Sequence, residues 1–156
     1  MNHAGRQTGF TVVELVACIV ILGILAVTVV PKLLDNNTLA ARTYSYEIAT
    51  ALREAQAVAV ASGCEVALSL NARNYAARQR RAAGNHCSAA GGWTVAVLRA
   101  DGDALAGTAP DDTRLSPATR IVFDARGRVI SGTPPVLAID TYSVRIDPLS
   151  GLALLR

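Results

Sequence analysis

The chain has 156 residues, enough for one modest globular domain once any anchor is subtracted. Apolar residues make up 51% and aromatics only 4% of the sequence, which argues against a stacking platform for single-stranded nucleic acid. The formal charge is +3, and losing Arg6 would leave 14 basic against 12 acidic side chains, too mild an excess to demand a polyanionic partner.

A short polar leader ends at Gly9, and an apolar run begins at once and continues to Val30. Phe10–Val30 holds 21 residues, and at about 1.5 Å per residue a helix of that length matches one hydrocarbon core. Its only charge is Glu14, and a carboxylate in a membrane helix costs about 2.5–3.5 kcal/mol at mid-bilayer. Such a residue asks for a partner. A cut between Gly9 and Phe10 would create an α-amino group four residues before Glu14, and helical spacing of four puts two groups on one face. A neighbouring subunit's terminus could then meet Glu14.

Two other readings compete for this segment. A secretory signal peptide would have a shorter apolar core and a small-residue cleavage site at its far end. Leu15-Val16-Ala17-Cys18 is similar to a lipobox, but most of the apolar run lies beyond Cys18, where a lipobox would have ended it. A retained membrane helix fits best. Arg6 and the amino terminus precede the run, so the leader is expected on the cytoplasmic side and the remainder outside, with Lys32 a weak opposing charge.

Pro31 is expected to end or kink the helix, because its ring removes a backbone donor. Asp35-Asn36-Asn37-Thr38 could break or cap it. A helical pattern resumes with Tyr44, Ile48, Leu52, Ala55 and Ala59, and Gly63 is placed to terminate it. Residues 10–62 therefore read as one long, interrupted helix whose first half is apolar all round and whose second half is amphipathic. The amphipathic stripe needs a sheet to cover it.

Beyond Gly63 the period changes to two. Val66, Leu68 and Leu70 alternate with Glu65, Ala67 and Ser69, and Asn71–Asn74 supplies a turn. Trp93–Leu98 is a second strand candidate, stopped by Asp101-Gly102-Asp103. Arg120–Phe123 and Arg128–Ile130 flank the hairpin signature Asp124-Ala125-Arg126-Gly127. Val136–Ile139, Tyr142–Ile146 and Leu152–Leu155 follow, the last two parted by Asp147-Pro148-Leu149-Ser150-Gly151. The stretch Gly102–Pro117 lacks periodicity and is expected to be a mobile loop. The predicted fold is α+β: a leader at 1–9, a membrane helix at 10–30, its amphipathic continuation at 31–62, and a head at 63–156 built of antiparallel strands in two small sheets.

Chemistry is sparse. Of the two histidines, His3 lies in the leader, leaving His86 beside Cys87 in a loop. No Gly-x-Ser-x-Gly elbow, phosphate loop or His-Glu-x-x-His helix is present, so an enzyme is not expected. Cys64, His86 and Cys87 are too few and wrongly spaced for a zinc site, and Asp101, Asp103, Asp111 and Asp112 lack the spacing of a calcium loop. Neither a metal nor a cofactor is expected. In an oxidising compartment Cys64 and Cys87 could pair, a bridge worth about 3 kcal/mol on the chain-entropy model, with two free thiols as the alternative. Cys18 reads as a small apolar residue of the membrane run. Arg73, Arg78, Arg80 and Arg81 crowd one segment, and Arg126 and Arg128 flank Gly127. They could contact phosphates, but a solvated loop and turn whose arginines guard strand edges is the preferred reading.

Residues 5–31 resemble the class III signal of type IV pilins and type II secretion pseudopilins. The resemblance spans Gly-Arg-Gln-Thr-Gly, the junction with Phe-Thr-Val-Val-Glu-Leu, and the apolar run to Pro31. It implies a pilin-like fold, cleavage between Gly9 and Phe10 by a prepilin peptidase, methylation of the Phe10 amine, and assembly by helix packing in which Glu14 pairs with a neighbour's amine. The implied partners are other pilins or pseudopilins and an inner-membrane assembly platform, and the implied location is the bacterial inner membrane with the head in the periplasm. Arg53–Gly63, Ile121–Arg128 and the Ser150-Gly151 turn resemble the GspH/FimT group of minor pilins and pseudopilins. Gly23–Lys32 is similar to MSHA-type pilins. Some FimT-like members carry a Gly-Arg-x-Arg element linked to DNA uptake, whereas Gly127-Arg128-Val129-Ile130 lacks its second arginine.

Overall fold

The computed structural model describes the backbone of residues 11–33, 36–84, 86–88, 91–131 and 136–156, and their side chains except at 26–33, 36 and 86. The chain divides into two compact units, Met1–Asn36 and Asn37–Arg156.

In the first unit, helix α1 runs Val12–Leu33. Thr11 caps it: its Oγ1 accepts from the Glu14 backbone N–H at 3.2 Å, and its carbonyl accepts from Leu15 N–H at 3.1 Å. Thr-x-x-Glu is the capping-box arrangement. Pro31 lies inside α1 and does not end it. From Val12 to Leu25 every side chain is exposed, including Val12, Leu15, Ile19, Leu22 and Ile24. Among the described residues no helix is long and apolar enough to cross a membrane. The expected span Phe10–Val30 lies in part outside the described residues, because α1 side chains are described only as far as Leu25.

The second unit opens with helix α2, whose bounds are Asn36–Ser62. Gly63 follows at φ +65°, a left-handed conformation that glycine adopts without a Cβ penalty, and the helix stops there. Tyr44, Ile48, Leu52, Ala55 and Ala59 are all fully buried, as the spacing predicts. Alanine at the last two positions lets the strands approach closely.

Among the described residues eleven strands follow: β1 (Val66–Leu70), β2 (Asn74–Arg80), β3 (Ala82–Ala83), β4 (His86–Cys87), β5 (Trp93–Ala96), β6 (Ala106–Thr108), β7 (Leu115–Ser116), β8 (Thr119–Phe123), β9 (Leu137–Ile139), β10 (Tyr142–Ile146) and β11 (Ala153–Leu155). A five-stranded antiparallel sheet has the order β5-β2-β1-β8, with β6 also on β2. A four-stranded sheet has the order β11-β10-β9-β7, and β3 pairs with β4. Val66, Leu68, Leu70, Tyr75, Ala77, Ile121 and Phe123 join the α2 stripe in one core, as do Leu115, Leu137, Ile139, Val144, Ile146 and Ala153 from the smaller sheet. The α+β expectation holds, with antiparallel sheets throughout.

Two expectations need correction. Arg78 and Arg80 lie not in a loop but in β2, which is paired on both sides. Their polarity hid an alternation in which Tyr75 and Ala77 face the core. Gly102–Pro117 is likewise not a free loop. It contains β6 and β7, and Leu105, Ala109, Thr113 and Leu115 are buried. Backbone bonds from Ala109 N–H to the Arg73 carbonyl (2.7 Å) and from Leu115 N–H to the Ala72 carbonyl (2.9 Å) hold it to the turn after β1.

A polar network lies at the edge of the core. Tyr75 Oη donates to Glu47 Oε1 at 2.6 Å and accepts from Arg99 Nη2 at 2.8 Å. Gly107 is packed so closely that a Cβ there would stand 2.6 Å from the Tyr75 ring. Tyr44, with its ring centroid 6.5 Å from that of Tyr75, is also buried, but among the described residues its hydroxyl has no hydrogen-bond partner. Burial, helped by the Glu47 charge, pushes the Tyr44 phenol up from 10.0 to about 12. Burial and then the hydrogen bond and charge of Glu47 raise Tyr75 further, against the opposing Arg99 charge. Raised acid pKa values contribute stability that is intact below the ordinary phenol range and is lost as pH rises through the folded values. Tyr75→Phe should therefore destabilise the head by about 1.5–3 kcal/mol, since it breaks bonds to two charged groups. Tyr44→Phe should leave stability unchanged or higher at neutral pH and should blunt the alkaline loss. Thermal melting of the detergent-solubilised chain at neutral and alkaline pH measures both, and a larger cost for Tyr44→Phe would overturn this account of the network.

Candidate functional site

Of the residues predicted to carry function, Gly9 and Phe10 lie outside the described residues. Glu14 is exposed in the first turn of α1, where the unpaired N–H groups and the helix dipole favour a carboxylate. Around it the helix surface is apolar on all sides, and among the side chains described in α1, Val12 to Leu25, the Glu14 carboxylate is the one charged group. A helix apolar all round needs to be covered by lipid or by other helices. Cys18 is a free, exposed thiol on the same surface.

Cys64 and Cys87 form a disulfide, with Cα atoms 5.4 Å apart. It ties the segment that follows α2 to β4. Cys87 is thereby consumed and offers no thiol nucleophile, and the side chain of His86 lies outside the described residues. Among the described residues no group of three or more His, Cys, Asp or Glu side chains gathers as a metal site would require.

The arginine positions separate. Arg73 is bound to Asp111 at 2.9 Å and Arg80 to Glu65 at 2.7 Å. In the hairpin turn, Asp124 Oδ1 accepts from the backbone N–H groups of Arg126 and Arg128, each at 2.9 Å. Asp124 Oδ2 accepts from Arg128 Nε at 3.0 Å and Nη2 at 2.8 Å. The Arg128 guanidinium is thus engaged within its own turn. Arg126 is exposed, and among the described residues its guanidinium makes no hydrogen bond or ion pair.

A feature that sequence reasoning missed lies at the end of α2. Gln56 Nε2 donates to the Gly127 carbonyl at 2.8 Å and to the Ser150 carbonyl at 2.6 Å, so one carboxamide holds two turns. One turn earlier on the helix, Arg53 Nη2 donates to the Ala153 carbonyl of β11 at 2.9 Å. Both turns are internally built. Asp147 Oδ1 accepts from Leu149 N–H, Ser150 N–H and Ser150 Oγ. The bonds from Ser150 lead those that hold the Asp147 carboxyl below its ordinary range. Desolvation pushes Asp124 up, but the Arg128 and Arg126 donors outweigh it and hold that carboxyl low as well. Depressed carboxyl pKa values contribute stability above the ordinary carboxylate range, and it is lost as pH falls through the lowered values.

Residues 5–30 match the family model of the prokaryotic N-terminal methylation motif. The chain thus carries a type IV pilin-like prepilin signal at the end where Gly9, Phe10 and Glu14 fall. No curated protein and no solved structure is matched by the chain.

The clamp gives a test of the head. A Cβ on Gly151, at φ +69°, would meet the Gly127 carbonyl oxygen and stand 2.5 Å from Gln56 Nε2. Gly151→Ala should cost more than the roughly 1–2 kcal/mol of a left-handed alanine, because the clash adds to it. Gln56→Ala should cost about 1–3 kcal/mol, as two carbonyls lose their donor. Thermal melts would show both, and a neutral Gln56→Ala would mean that the turns hold themselves.

Proposed function

We propose that this chain is a minor pilin or pseudopilin subunit, a structural protein rather than an enzyme, that helps to initiate or cap a type IV pilus or type II secretion pseudopilus. The observation that carries the reading is the prepilin signal at residues 5–30, joined to a helix that exposes apolar side chains on every face and holds one carboxylate in its first turn. A prepilin peptidase cuts between Gly9 and Phe10, and the new amine is methylated. Phe10 then precedes the capping residue Thr11 directly. An amine there and a carboxylate at Glu14 are complementary charges that neutralise one another across two subunits in a low-dielectric helix bundle, where neither is tolerated alone.

In this reading α1 anchors the chain once in the inner membrane before assembly and packs among other pilins afterwards, with the head in the periplasm. The assembly platform is the further partner. The Cys64–Cys87 disulfide suits an oxidising compartment. The finer assignment is a GspH/FimT-type subunit with an anchor like that of the MSHA minor pilin MshC. It rests on the resemblance of Arg53–Gly63, Ile121–Arg128 and the Ser150-Gly151 turn, and these three segments meet in the head through Gln56. A DNA-uptake role finds less support, since Arg128 is bound to Asp124.

The intact mass of membrane-extracted protein should lack residues 1–9 and carry one added methyl group. A retained leader would sink the reading. Separately, Glu14→Ala should be cleaved normally yet enter filaments at less than a tenth of the wild-type level, as judged by immunoblotting of sheared fractions. Wild-type incorporation would show that the charge does not set assembly.

A further inference from the structure

The outer face of the five-stranded sheet carries a cleft of about 290 Å³ that the reading above does not use. Ala67, Ser69, Arg78, Gly92, Trp93 and Arg120 line it. Strand register creates it. Arg78 stands opposite Ala67 on one side of β1, and Arg120 stands opposite Ser69 on the other. Trp93 is brought in by its pairing with Arg80.

Three features set this cleft apart from a solvated arginine patch. First, among the described residues neither Arg78 nor Arg120 has an acidic partner. Arg78 Nη1 donates to the Thr94 carbonyl and Arg120 Nε to Ser69 Oγ, both at 3.3 Å, which leaves most of each donor fork unspent. Second, the Arg120 guanidinium lies 5.6 Å from the Trp93 ring centroid and that of Arg80 lies 4.8 Å away, so the ring orients the cations. Third, Trp93 Nε1 is buried with no hydrogen-bond partner among the described residues. A buried indole N–H ordinarily has one.

We infer that this cleft binds an acidic segment of a partner protein, seating one Glu or Asp carboxylate between Arg78 and Arg120. A planar carboxylate matches guanidinium forks, and Gly92 and the indole offer apolar surface to its aliphatic stem. The same observations disfavour a nucleic-acid backbone. Two available guanidiniums fall short of the run of phosphate contacts that gives a duplex its affinity, and Trp93 is engaged by arginines rather than offered for base stacking. The cleft is independent of the prepilin signal, so either reading can fail alone.

Trp93 is the sole tryptophan, so its emission reports on the cleft directly. Titrating the full chain in dodecyl maltoside with hexaglutamate should give a saturable change in emission that hexaglutamine does not. Arg78→Gln and Arg120→Gln should each weaken binding at least tenfold, whereas Arg126→Gln, an equal loss of charge elsewhere, should change it less than twofold. On the unaltered chain, hexaglutamate should protect Arg78 and Arg120, but not Arg126, from phenylglyoxal in peptide mapping, which answers the question even if a variant folds poorly. Absence of saturation, absence of protection, or equal sensitivity to Arg126→Gln would overturn the inference. So would a duplex oligonucleotide that binds through Arg78 and Arg120 while hexaglutamate does not.

Discussion

The head depends on one constraint: a single stripe of α2 must be covered completely. Tyr44, Ile48, Leu52, Ala55 and Ala59 recur at three and four residues and have no exposure. Tyr44, at the start of the stripe, packs beside Tyr75 with ring centroids 6.5 Å apart, and alanines at the end of the stripe leave room for the strands. Few aromatics are available, so the core is closed by many small contacts among Val, Ile, Leu and Ala. Close packing of this kind makes each position sensitive to volume. The stripe takes in residues of both larger sheets, which is why the second sheet, with strands of only two to five residues, can persist at all.

Apolar packing does not fix the turns that leave the sheets, and polar groups on the end of α2 supply that. Gln56 and Arg53 sit on successive positions of the helix that face strand ends, and together they satisfy three carbonyls. The glycines are a consequence of this closeness. Gly127 and Gly151 have φ of +77° and +69°, and each lies against Gln56. Two turns far apart in sequence are therefore constrained by one side chain. This is a tighter demand than either turn makes by itself.

Periodic features were legible in the sequence, and pairings that cross the chain were not. The α2 stripe, the β1 alternation, the stop at Gly63 and the strand Tyr142–Ile146 follow from local spacing, and the structure has them. The resemblance at residues 5–31 was equally local, and a family model matches almost the same segment. Strand β2 was missed because arginines at its outward positions made an alternating segment look like loop. The Gly102–Pro117 segment was missed because its buried residues are held by the Asn71–Asn74 turn rather than by a period of their own. Gln56 gave no signal, since a glutamine on a helix is ordinarily solvated. Arg120 and Trp93 meet only through the register of β1 and β2, which no motif encodes.

The two units solve opposite problems with the same kind of residue. In Asn37–Arg156 one apolar stripe of the helix is buried within the unit, and among the described residues six of its thirteen arginines find carboxylates or carbonyls. In Met1–Asn36 the described apolar side chains are exposed, and Glu14 stands in the first turn of α1. An isolated carboxylate of this kind is a poor element for a monomer in lipid, since it costs energy and contributes no packing. It becomes useful where a second chain brings a cation to the same depth, because then the cost falls on every arrangement except the correctly registered one. The exposed helix and its charge therefore act together in the proposed assembly: apolar surface would supply attraction without direction, and a charge pair would supply the register.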